Sequence, residues 1–234
     1  MVLRFWIACL LAFSVDESLA QFRGLSWGTD CLEALRHEGF TETSLTYPKG
    51  LVDCERGDFY INEVTVSDYP QTFAMFYFAD SQLYRGRYNF NFPGDASFVF
   101  MGDNGDAYLS QCLDAFINLE NLLTVRYGEC VHSNNTSIED VSSDHVSLSI
   151  PNLRFDLCMN RSTIESVWRT DASIITLELD AKAYTYPNSK TPDKIHHRYF
   201  LTLEYHSREL YEWGEMWRHE RDSIAERQSR LKGL

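Results

Sequence analysis

No apolar run in this 234-residue chain approaches the roughly 20 residues that a membrane-spanning helix needs. The longest candidate near the start, "FWIACLLAFSV" from Phe5 to Val15, is stopped by Asp16 and Glu17. No membrane span is expected. Basic charge is scarce too, with 21 Lys and Arg against 34 Asp and Glu. Affinity for nucleic acid comes largely from Lys and Arg displacing counterions, so that class of partner is excluded. Catalytic signatures are missing in turn. There is no C-x-x-C, no G-x-S-x-G elbow and no G-x-x-x-x-G-K-[ST] loop. His37-Glu38 and His219-Glu220 each begin a zinc-protease pattern. The second histidine it requires is Thr41 in one case and Ser223 in the other. No carboxylate pair stands out among so many acids. The sequence therefore assigns no catalytic residue, no metal and no cofactor, and leans away from an enzyme. A hydrolase without a recognisable motif is the third-ranked reading.

What is present starts at the N-terminus. Arg4, the apolar run and the small residues Ser18 and Ala20 read as a cleaved secretory signal over residues 1–20, leaving Gln21 first. Secretion into an extracellular, oxidising compartment is the expectation. Without that segment, which holds Arg4, Asp16 and Glu17, 20 basic and 32 acidic side chains remain, a formal charge of −12. Cys9 leaves with the signal, and Cys31, Cys54, Cys112, Cys130 and Cys158 stay. In such a compartment they should mostly be bridged. Closing the smallest loops favours Cys31–Cys54 first and Cys112–Cys130 second. The odd cysteine is then either a buried thiol or a link in a homodimer. Sequons at Asn134, Asn135 and Asn160 predict N-glycosylation, the first two in the polar loop "HSNNTSIEDVSSDH".

Residues 58–206 alternate with period two. "LYRGRYNFNF" puts Tyr84, Tyr88, Phe90 and Phe92 opposite Arg85, Arg87, Asn89 and Asn91, and "IITLELDAKA" separates its faces in the same way. Asp80-Ser81, Pro93-Gly94, Asn104-Gly105 and Asn188-Ser189 fall between such runs as turns. Helical spacing occurs at 31–37, 107–120 and 207–232. The fold expected is mainly β, an antiparallel meander closed into a barrel or doubled into a sandwich, with two or three helices including one at the C-terminus. Overall that is α+β. A single domain spans 21–217, and 218–234 is a helical or fraying tail.

Four stretches invite a functional reading. "KIHHRYFLTLEYH" (194–206) holds three histidines and a glutamate. On a strand, however, His196 and Glu204 lie about 26 Å apart, and only Glu204 and His206 are neighbours on one face. "GDNGDAYL" offers Asp103, Asn104 and Asp106 to calcium, yet lacks the ligand pattern of an EF-hand loop and reads better as a turn. Thirteen Phe and Tyr fall between 58 and 100, far above the 14% aromatic content of the chain. They fill a core or, through Phe73, Tyr77, Tyr84, Tyr88 and Phe90, line an apolar pocket in a barrel. Finally, Leu210, Trp213, Trp217, Ile224 and Leu231 mark one face of the last helix as a partner site.

Lipocalin-type carriers combine a secretory signal, a β-rich body and a terminal helix in a comparable layout. Their G-x-W is absent here, since Gly24-Leu25-Ser26-Trp27 has a different spacing. The function expected is that of a secreted, N-glycosylated, disulfide-containing protein that binds an extracellular protein partner. Its alternative is a carrier of a small apolar ligand. A homodimer through the odd cysteine or the last helix is compatible with either.

Overall fold

The computed structural model describes residues 22–40, 50–54, 58–91, 104–133, 163–184 and 196–232. In chain order the elements are α1 (Cys31–His37), β1 (Gly50–Asp53), β2 (Asp58–Val66), β3 (Tyr69–Ala79), β4 (Gln82–Phe90), α2 (Asn104–Tyr127), β5 (His132–Ser133), β6 (Ile164–Arg169), β7 (Ser173–Tyr184), β8 (His196–Ser207) and α3 (Tyr211–Lys232). The fold is mixed α+β, mainly sheet, with a C-terminal helix and two more helices.

The eight strands of the described residues lie in one antiparallel sheet, in the order β1-β2-β3-β4-β8-β7-β6-β5. Two four-stranded meanders meet through β4 and β8. Among the described residues β1 and β5 stand at the edges of this one sheet, which is open between them where a closed barrel or a doubled sandwich was expected. The strand order follows from a crossover. After β4 the chain runs through α2 to the far edge, and the second meander returns from there to the first.

The β3–β4 turn consists of Asp80 and Ser81, both at positive φ (45° and 63°), as a type I′ hairpin requires. The Asn104-Gly105 step does not turn a hairpin. It opens α2, which is longer than the 107–120 expected and reaches Tyr127. Asn104 and Asp106 are helical, and Asp103 lies outside the described residues.

Alternation sends Ala74, Phe76 and Phe78 of β3, Ile175, Leu177 and Leu179 of β7, and Leu201 and Leu203 of β8 to one face. Across this inner face lies α2, burying Leu109, Cys112, Leu113, Phe116, Leu119 and Leu123. The N-terminal segment completes the layer. Phe22 is fully buried, edge-on to Phe76 at 5.0 Å and tilted on Tyr88 at 4.9 Å. Gly86 makes room for it, because a Cβ there would lie 2.2 Å from the Phe22 ring. Trp27 donates from Nε1 to Ser173 Oγ at 2.7 Å, which pins the same segment to β7. Asp30 caps α1 by accepting from the Leu32 N–H at 2.9 Å. The Cys31–Cys54 disulfide, 23 residues apart, ties α1 to the end of β1.

The outer face carries α3. Its first turns cover Met75, Tyr77, Ala79 and Tyr84 with Leu210, Tyr211, Trp213 and Trp217. Gly214 lies against the Tyr84 ring so closely that a Cβ would come within 2.5 Å. Ser207 prepares the helix, its hydroxyl accepting from the N–H groups of Glu209 and Leu210. Beyond Ile224 the described side chains are exposed, yet the helix continues to Lys232.

Candidate functional site

The densest polar constellation lies where α3 meets the outer face. Register pairs Arg87 with Glu204 and Arg85 with His206 across β4 and β8. A bulge between the pairs Tyr77–Arg85 and Phe78–Leu83 leaves Tyr84 as the extra residue. This turns Tyr84 to the outer face beside Arg85, away from the face it would share with Tyr88 by strict alternation. The Glu204 carboxylate accepts from Arg87 Nε at 2.7 Å and pairs with Arg85 Nη2 at 2.8 Å. Arg85 Nη1 and the Tyr84 hydroxyl both donate to Glu215 Oε1 of α3, at 3.1 and 3.0 Å. Two residues before His206 on β8, Glu204 also has the His206 Nδ1 at 3.8 Å, too far for a hydrogen bond. The His206 ring stacks on Tyr211 at 4.1 Å. Arg218 closes the site, donating with both terminal nitrogens to the Asp58 carboxylate. The Arg85 and Arg218 guanidiniums both lie over the Tyr77 ring, at 4.6 and 5.0 Å from its centre.

Burial sets the electrostatics. It would push the Glu204 carboxyl up, but the contact with His206 and the charges of Arg85 and Arg87 outweigh it and bring the pKa down to about 2. Burial raises the Tyr84 phenol, with Glu215 adding to the effect and Arg218 opposing it. Burial also raises Asp58, with Arg218 pulling it back. Next to this balanced cluster runs an unbalanced one. Glu165 of β6 stands directly across from Glu178 of β7, and Asp180 lies two residues along. Burial pushes the Glu178 carboxyl up, and Asp180 and Glu165 push it further. Among the described residues no group of three or more His, Cys, Asp and Glu is set to hold a metal ion.

The five aromatics expected to share a pocket are divided. Tyr77 and Tyr84 lie under α3, and Phe73 has the outer-face parity of Tyr77. Tyr88 and Phe90 pack on the inner face. The helix stripe divides as well. Leu210, Trp213 and Trp217 dock on the sheet, and Ile224 is 46% exposed. The backbone of Leu231 is helical, and its side chain lies outside the described residues. Cys130 carries a free, half-buried thiol, so the second expected bridge, to Cys112, is not formed. Burial and the nearby Glu120 and Glu129 push the Cys130 thiol up, away from the reactive thiolate. Cys112 is buried under the sheet. Residues 1–20, Asn134, Asn135, Asn160 and Cys158 lie outside the described residues, as do the side chains of His196 and His197.

Arg85, Arg87, Tyr211, Glu215 and Arg218 were not singled out by the sequence. The available signal was complementary period-two charge, R-x-R in β4 against E-x-H in β8, usable only once β4 and β8 are known to pair. Chemically, the cluster is closed. Glu204 is held ionised by two guanidiniums, and the His206 ring is covered by Tyr211. Its work is to fasten α3 to the sheet. No protein-family model, curated protein or solved structure matches this chain.

Proposed function

We propose that this chain is a secreted, N-glycosylated, non-catalytic protein that binds an extracellular protein partner through the distal part of α3. The observation that carries the reading is the division of that helix. Its first turns are fixed by Glu215, Trp217 and Arg218, whereas the described side chains from Ile224 to Arg230 are exposed. A fixed helix that projects an exposed end is a ready-made handle for a groove-type partner. The Cys31–Cys54 bridge supports the compartment, since such bonds persist where the surroundings oxidise. Among the described residues no helix is long and apolar enough to cross a membrane.

Native mass spectrometry of the chain secreted by a eukaryotic host, with and without residues 223–234, tests the reading. A glycosylated protein starting at Gln21 that holds a partner only when the distal segment is present supports it. Retention of the partner by the shortened chain, or failure of the full chain to be secreted, refutes it. A co-purifying apolar molecule in place of a protein supports the carrier alternative.

A further inference from the structure

A second stripe on α2 faces away from the sheet. Asn118, Asn121, Leu122 and Val125 follow the i, i+3, i+4, i+7 spacing of one helical face, and Leu122 and Val125 are 51% and 88% exposed. Together with Ser67 and Asp68 of the β2–β3 turn and Tyr69 at the start of β3, they line an open groove of about 400 Å³. That is within the size range of small-molecule sites and holds roughly one or two sugar rings.

The lining specifies the ligand. Two primary amides supply donors and acceptors, the Asp68 carboxylate accepts, and the Ser67 hydroxyl does both. No basic side chain lines the groove among the described residues, so a phosphate, sulfate or carboxylate ligand has no counter-charge and faces Asp68. Leu122 and Val125 give one apolar wall, and the half-buried Tyr69 adds an aromatic one. Phe90 holds the Tyr69 ring edge-on at 5.7 Å, and the Asn118 amide reaches its hydroxyl at 3.5 Å, so this side of the groove is formed before any ligand arrives. Adjacent hydroxyls on one side and a C–H surface on the other describe a pyranose. We propose that the groove between α2 and the β2–β3 turn binds a neutral saccharide. This inference stands on the groove alone and does not depend on the partner role of α3.

The test is a nitrogen-15 titration of the full secreted chain, after enzymatic trimming of its own glycans. Glucose, mannose, galactose and N-acetylglucosamine serve as separate probes, and glucuronic acid as the anionic control. At least one neutral sugar should shift the amides of Ser67 to Tyr69 and Asn118 to Val125 saturably, while glucuronate leaves them in place. Asn121→Ala and Val125→Asp change exposed helix positions, so the fold should survive both. Asn121→Ala should weaken the interaction about tenfold, the loss of one well-made polar contact. Val125→Asp should weaken it at least as much. The proposal is overturned if no neutral sugar shifts these amides, if glucuronate binds as well, or if both variants bind unchanged.

Discussion

Glu204 of β8 stands directly across from Arg87 of β4, and its carboxylate also holds Arg85, whose other arm reaches Glu215 of α3. One half-buried anion thus joins the two meanders to each other and, through Arg85, to the last helix.

Glu204→Gln should destabilise the protein at neutral pH. The folded pKa is lowered from 4.5 to about 2, so the stabilisation is fully present above about 4.5 and lost as pH falls through 2. The shift corresponds to about 3 kcal/mol at pH 7. Urea unfolding of both proteins at pH 7 and near pH 2 measures it. The difference should shrink sharply at the lower pH.

Glu178→Gln should act in the opposite direction. Its pKa is raised by burial and by Asp180 and Glu165, so the folded state favours the protonated form. The ionised side chain therefore destabilises the fold above its folded pKa, and that effect fades as pH falls to 4.5 and below. The variant should melt higher than the parent at pH 7 and equally at pH 4. A lower melting temperature at pH 7 would show that Glu178 has a stabilising partner.

Gly214→Ala separates packing from propensity. In an exposed helix, alanine in place of glycine gains roughly 1 kcal/mol. Here the added Cβ meets the Tyr84 ring at 2.5 Å, so we expect a net loss of about 1–3 kcal/mol in thermal or urea unfolding. Trp213 and Trp217 should report the displaced helix by fluorescence. Gly86→Ala should be at least as damaging, because Phe22 is enclosed and unable to move aside.

Truncation should depend on where it falls. Ending the chain after Asp222 leaves Trp217 and the Arg218–Asp58 pair in place, and unfolding should change little. Ending it after Trp217 removes Arg218 and leaves the half-buried Asp58 without its counter-ion. That should cost about 1–2 kcal/mol more in the same measurement.

Much of the architecture was legible locally. The spacing from Cys31 to His37 marks α1, and the alternations in β4, β7 and β8 identify strands and core faces. The Cys31–Cys54 bridge followed from loop length. What escaped depended on distant pairing. A straight reading of period two puts Tyr84 with Tyr88, but one bulge opposite Tyr77 and Phe78 reverses it and creates the seat for Gly214. Asn104-Gly105 has strong turn chemistry, yet the apolar stripe behind it recruits it into α2. The candidate site combines both difficulties. Glu204 and His206 were recognised as neighbours, whereas Arg85 and Arg87 join them only because the second meander returns to β4 in place of continuing outward.

The proposed partner role divides α3 into an anchored half and a projecting half, and native-state hydrogen exchange along this helix measures that division. Residues 211–221 pack on the sheet and should exchange slowly, close to the rate set by global unfolding. Residues 224–230 carry exposed side chains in a segment too short to persist alone, and their amides should exchange within the dead time of a manual experiment. Uniform protection from Tyr211 to Lys232, or fast exchange over 211–221, would refute that division of the helix.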